Sequence, residues 1–204
     1  MRRGGGRRTA EPGAFRDAAS DETPGKQATL REFRRRFQLG DVLHRAMACA
    51  TEADTLPGHS TEALRLRQTA VAYALLVNAG DRQGDLRHAR IGHEIVRDGD
   101  VWRHDLRQRK GGRRKEMEVL WPGTCALIDA HILADRPAWQ IERRVAELEG
   151  RNLLTLSEKV LHEGFLNRRL EADFQLPDGA RLSGHLIRTL ITDAIRRVRP
   201  DALW

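Results

Sequence analysis

The chain has 204 residues and carries 36 Lys and Arg against 29 Asp and Glu, a formal charge of +7. That length suits one good-sized domain with a tail, or two small ones, and the basic balance favours a polyanionic partner such as nucleic acid. No apolar run reaches membrane-spanning length and the N-terminus lacks the apolar core of a signal peptide. Cys49 and Cys125 stand apart with no metal-ligand spacing, so the expectation is a soluble cytoplasmic protein with no structural zinc, no other metal and no cofactor. Almost all the positive charge is arginine, because the lysines are only Lys26, Lys110, Lys115 and Lys159. Arginine forks match phosphate oxygens bidentately. A GC-rich coding bias explains the same Arg to Lys ratio, but not the net sign.

Residues 1–28 are rich in Gly, Arg, Ala and Asp and show no apolar period, which predicts a disordered basic tail. Thr29 to about Asp54 reads as one helix. Thr29 with Glu32 has the spacing of a capping box, and Leu39, Val42, Leu43, Ala46, Met47 and Ala50 recur at helical spacing. Leu56–Ser60 is a loop, and Ser60 or Thr61 caps a helix that runs to about Asn78. The run Thr69–Val77 is apolar on nearly every side, which marks a buried helix. A short helix is expected from Asp85 to about Ile91.

The period then changes to two. Glu94–Val96, Val101–Arg107 and Lys115–Leu120 read as strands of a three-stranded antiparallel sheet, with turns at Asp98-Gly99-Asp100 and Gly111-Gly112. A helix follows from about Thr124 to Ala134, with Leu127, Ile128 and Ile132 inward. Arg136–Gly150 reads as loop and polar helix. Leu156 to about Ala172 reads as helix, with Val160, Leu161, Phe165 and Leu170 apolar. The last helix starts near His185, and its predicted buried stripe is Leu186, Leu190, Ile191, Ala194, Ile195 and Val198. Pro200 ends it. The expected fold is α+β and mostly α-helical, with helices around the small sheet.

Four cations invite a chemical reading. Arg82 stands at the Gly80–Gly84 turn that closes the apolar helix, where a guanidinium is costly to desolvate unless an anion meets it. His185 and Arg188 are three apart, hence neighbours on one helix face, and their place at a helix start predicts unpaired N–H groups and a positive dipole end beside them. Such a site suits a phosphate oxyanion. Lys110 sits beside Gly111-Gly112 in the second hairpin. Taken singly, each has a plainer role: Arg82 as a helix-end charge, Lys110 as a hairpin lysine, His185 and Arg188 as surface.

Their order resembles the catalytic domain of the tyrosine recombinases, the phage-integrase family. Gly80-Asp81-Arg82-Gln83-Gly84-Asp85-Leu86 is similar to that family's first box, with Asp85 where Glu is usual. Arg109-Lys110-Gly111-Gly112 resembles its lysine hairpin. His185-Leu186-Ile187-Arg188-Thr189-Leu190 is similar to its second box, with Thr189 where a His is usual. The resemblance spans about Leu39 to the end. It implies a catalytic domain over 29–204 that binds double-stranded DNA for recombination or integration. Arg82 and Arg188 would hold the non-bridging oxygens of a scissile phosphate, Lys110 would protonate the leaving 5′ oxygen, and His185 would serve in proton transfer or phosphate binding, without metal. Family members carry a Gly-His element and a nucleophilic Tyr after the second box. The one tyrosine here is Tyr73, in the apolar helix and ahead of every motif, where it reads as a core aromatic. The resemblance therefore implies a domain without its C-terminal segment and without a nucleophile of its own. It also implies uncovered apolar surface around the last helix, and an oligomer on DNA that is not expected to be stable without that segment. The competing expectations are a DNA-binding module without catalysis and an unrelated α-rich interaction domain in which the four cations never converge.

Overall fold

The computed structural model describes residues 24–105, 118–177 and 180–198. In chain order the elements are α1 (Pro24–Arg36), α2 (Leu39–Asp54), α3 (Thr61–Ala79), α4 (Gln83–Arg87), β1 (Ile95–Asp98), β2 (Val101–His104), β3 (Glu118–Val119), α5 (Pro122–Leu133), a short 3-10 turn at Ala138–Gln140, α6 (Ile141–Glu147), α7 (Phe165–Asp173) and α8 (Gly184–Val198). The protein is thus mostly helical, with one antiparallel sheet in the order β1-β2-β3. Among the described residues no helix is long and apolar enough to cross a membrane.

The core is built around α3. Every residue from Leu66 to Val77 is buried, and α3 packs against α2, α5, α7 and α8. The Ser60 hydroxyl caps its start by accepting from the Ala63 N–H at 3.1 Å. Its end is set by Gly80, which takes the left-handed conformation at φ 61°. There glycine avoids the Cβ clash that any other residue meets. Because Leu66–Val77 has no wet face, whatever this stretch contributes to function lies beyond its ends.

The expected single helix from Thr29 to Asp54 is two helices, broken at Phe37-Gln38. Gln38 is extended (φ −117°, ψ 164°), and the Asp41 carboxylate accepts its N–H at 2.7 Å. The N-terminal box therefore lies at Gln38 and Asp41, not at Thr29 and Glu32. Thr29 sits inside α1, its hydroxyl bonded to the Gly25 carbonyl. The break lets Phe33 and Phe37 fold onto Phe174, with Phe37 and Phe174 edge to face at 5.3 Å between centroids. Since α1 begins at Pro24, residues 24–28 of the stretch read as tail are helical; residues 1–23 lie outside the described ones. Met47, placed on the apolar period, is 51% exposed.

The sheet forms where expected, with Asp98 paired to Val101 across the Gly99-Asp100 turn. The first strand is Ile95–Asp98 rather than Glu94–Val96, and the short helix before it is Gln83–Arg87 rather than Asp85–Ile91. The expected ends of β2 and β3 between residues 106 and 117, and the Gly111-Gly112 turn, lie outside the described residues.

The expected helix from Leu156 to Ala172 is confined to Phe165–Asp173. Asn152 explains the difference. Its amide donates to the Arg87 carbonyl, while its side-chain oxygen accepts from the Leu154 and Thr155 N–H groups at 3.1 Å. An Asn that satisfies local backbone in this way competes with helix, and Leu156 follows at φ 51°, a conformation no helix interior adopts. Val160, one of the apolar residues of that stretch, is 41% exposed. On α8, Leu186, Ile187 and Leu190 are buried, but Ala194 is exposed and Val198 is 80% exposed. The stripe read from its period is thus covered only over the first turns.

His131 of α5 is 1% exposed and donates through Nε2 to the Leu153 carbonyl at 2.9 Å. Burial pushes its pKa from 6.5 down to about 4. Between those values the unfolded chain binds a proton that the folded chain refuses. Stability is therefore complete above pH 6.5 and falls as pH drops toward 4, by up to about 3 kcal/mol from this group. Urea unfolding at several pH values checks this, and the His131→Asn variant is expected to lose that part of the slope.

Candidate functional site

The turn that ends α3 lies along the start of α8. A Cβ placed on Gly80 would be 3.8 Å from Ile191 Cγ2, and one on Gly184 would be 3.6 Å from Gln83 Cβ. Gly184, Arg188 and Ile191 follow the i, i+4, i+7 spacing of one helix stripe. Arg188 therefore stands between the two points where the turn meets α8, and Arg82 stands between Gly80 and Gln83 on the other side. Arg82 is half-buried at the N-cap of α4, in extended conformation (φ −72°, ψ 139°). Its carbonyl accepts from the Asp85 and Leu86 N–H groups, so the backbone is fixed on both sides of the side chain. Arg188 is half-buried, and His185, one step round the helix from Gly184, is exposed.

Asp81 ties this turn to the sheet. It is 2% exposed and lies 3.1 Å, Oδ2 to Nε2, from His104 at the end of β2, itself 2% exposed. Across the sheet His104 pairs with Glu118 of β3. His104, beside the Arg82 turn, and Glu118 are thus paired on either side of residues 106–117. Lys110 lies outside the described residues.

The start of α8 is not the open set of N–H groups expected from its sequence. The Ser183 hydroxyl accepts from the Leu186 N–H, the Ser183 carbonyl from the Ile187 N–H, and the Asn167 side chain of α7 from the Gly184 N–H at 3.2 Å. The Gly184 and Leu186 bonds satisfy donors that a bare helix end leaves open, while the Ile187 bond is the first regular bond of the helix.

Tyr73 is fully buried, and its hydroxyl donates to Asp173 Oδ2 at 2.8 Å. Burial, with the Asp173 charge adding to it, raises the phenol pKa above its ordinary value of 10. The ring sits among Phe174, Cys49 and the Arg45–Asp173 ion pair, which is 3.0 Å long. It is a core group with a satisfied hydroxyl, as its place in the apolar helix suggests.

Two cations near this surface escaped the sequence reading. Lys26 and Arg196 line a groove of about 310 Å3 together with His185, Arg188, Thr189, Thr192 and Asp193. Arg196 falls on the helical stripe through His185, Thr189 and Thr192, so the period of α8 carried the signal. Lys26 lies in the stretch read as tail, where nothing marked it. His104 alternates with the buried Trp102 in β2, and that two-residue period was the available sign of its burial. Among the described residues no group of three or more His, Cys, Asp or Glu is placed to hold a metal ion. Comparison with protein-family models, with curated proteins and with solved structures gives no significant match.

Replacing Asp81 with Ala takes away the carboxylate that faces the buried His104. The expected cost is about 1–3 kcal/mol of unfolding free energy, the worth of a buried polar group left without its partner, read as a lower urea midpoint at unchanged m-value.

Proposed function

We propose that the chain binds duplex DNA and holds one backbone phosphate between Arg82, Arg188 and His185, in the manner of a tyrosine-recombinase catalytic domain. The observation that carries this reading is the seating of the Gly80–Gln83 turn on the α8 stripe that contains Arg188. Arg82 and Arg188, far apart in sequence, thus belong to the two segments that meet at this crossing, and the exposed His185 lines a groove with Arg188.

On this reading the guanidiniums take the two non-bridging oxygens, each through charge-assisted hydrogen bonds. Held so, they stabilise the extra negative charge of a pentacoordinate phosphorus. Lys110 is the proposed general acid toward a leaving 5′ oxygen. The position of His104 against Asp81 supports this, because it starts the Lys110 connection at the Arg82 turn. His185 is the proposed proton-transfer or phosphate-binding group. A phosphoryl transfer also needs a nucleophile. Tyr73 is the one tyrosine of the 204 residues, and its hydroxyl is buried against Asp173. DNA binding without strand cleavage by these residues alone is the form of the proposal that this burial favours. A hydroxyl for cleavage would have to come from outside them.

Two measurements test it. Fluorescence anisotropy with a labelled duplex at about 100 mM salt should show Arg188→Ala weakening binding about tenfold to a hundredfold, the worth of a charged phosphate contact at roughly 1.5–3 kcal/mol. Unchanged affinity would remove Arg188 from the site. Incubation with a duplex carrying a 5′-bridging phosphorothiolate, which traps covalent intermediates, is expected to leave no protein–DNA adduct in a denaturing gel. An adduct that disappears in the Tyr73→Phe variant would overturn the placing of Tyr73 as a core residue.

A further inference from the structure

The groove beside the proposed phosphate site runs on past it. Its floor is the α8 stripe His185, Thr189, Thr192 and Arg196, spaced i, i+4, i+7 and i+11, and Arg188 and Lys26 stand along it. From His185 to Arg196 the stripe covers about 16 Å of helix. Lys26, Arg188 and Arg196 bring three full positive charges against the single carboxylate of Asp193. That carboxylate is held by an ion pair with Arg34 of α1, which also fixes α1 alongside α8. The Thr189 and Thr192 hydroxyls bond to the carbonyls of His185 and Arg188, one turn back. Short polar side chains so tucked against the helix leave an open floor, and every residue that lines it is polar or charged, its apolar area coming from side-chain stems and methyl groups. An open, cationic, elongated groove fits a repeating anion better than a compact one.

Arg188 belongs to both features, since it lies on the Gly184–Ile191 stripe facing the Arg82 turn and also lines the groove. Arg196 is two turns farther on, about 12 Å along the axis. A DNA strand presents a phosphate every 3.4 Å or so of duplex axis, so Arg196 lies within reach of a phosphate about three or four nucleotides from the one at Arg188. We infer that the α1–α8 groove is a backbone track for duplex DNA, in which Arg196 and Lys26 bind phosphates beyond the one held at Arg82 and Arg188. This rests on the phosphate-binding reading above and extends it from a point contact to a footprint.

The test is the salt dependence of binding, measured by anisotropy with a duplex of about 20 base pairs. Each phosphate neutralised contributes about 0.9 to the slope of log K against log salt. Arg196→Ala and Lys26→Ala should each lower the slope by about 1 and weaken binding about threefold to tenfold near 100 mM salt. Arg196→Lys should restore the slope. Arg143→Ala, the same loss of charge on α6 at a side chain 77% exposed, should leave the slope where it was. If Arg188→Ala weakens binding while Arg196→Ala behaves like Arg143→Ala, the track is wrong and the phosphate site stands. If the unaltered chain shows no DNA binding, or if Arg188→Ala is without effect, the phosphate site itself fails and the track with it. An RNA duplex bound as tightly, with the same loss in Arg196→Ala, would overturn the assignment to DNA.

Discussion

The burial of α3 from Leu66 to Val77 is the constraint on which the remaining structure depends. A stretch of helix dry on all sides must be surrounded, and α2, α5, α7 and α8 do this. It also carries no accessible cation: Arg65 is exposed one residue before it, and Arg67, its one arginine, is spent on the Gly58 carbonyl and Asp54. Past this stretch the chain becomes accessible again at the C-terminal end of α3, and the left-handed Gly80 makes that end abrupt. Arg82 therefore stands at the edge of the core on a backbone that the core holds still. A side chain on a fixed backbone spends less entropy on meeting a ligand than one on a loop tip.

Small residues and buried polar contacts decide what meets Arg82 there. Gly80 and Gly184 let the turn lie close to α8. Asp81 anchors the same turn to the sheet through His104. The start of α8 is set by α7, which supplies Asn167 to the Gly184 N–H. At its far end α7 offers Asp173 to Arg45 of α2 and Tyr73 of α3. A single line of hydrogen bonds thus runs from the centre of the core, through α7, to the place where Arg188 projects. Tyr73 takes part as a structural donor, and this leaves the proposed phosphate site with cations and no tyrosine among the described residues.

The capping of α8 shapes the electrostatics. With the Gly184 and Leu186 N–H groups at the helix end satisfied, the field proposed for the site is mainly that of side-chain charges. Such charges are screened over about 10 Å in 0.1 M salt, so the proposed DNA interface is one governed by ionic strength. The pairing of Asp193 with Arg34 serves the same surface, because it takes away the negative charge that would otherwise divide the cations of α8.

The amino-acid sequence by itself determined the buried α3, the glycine stop after it, the three-stranded sheet with its Gly99 turn, and the start of α8 near His185. Each of these is written in local periodicity or in a residue whose backbone preference admits few alternatives. The order of Arg82, His185 and Arg188 was legible too, because the elements that separate them were. What only the tertiary structure decided was long-range. The α1–α2 break arises because Phe33 and Phe37 pack on Phe174, more than a hundred residues away. The shortened α7 arises because Asn152 bonds across to Arg87. The capped start of α8 and the Asp81–His104 tie likewise join residues whose partners no period announces. Periodicity says which face of an element turns inward; it does not say which distant side chain will be waiting there, and such pairing seats Gly80 and Gln83, on either side of Arg82, against α8.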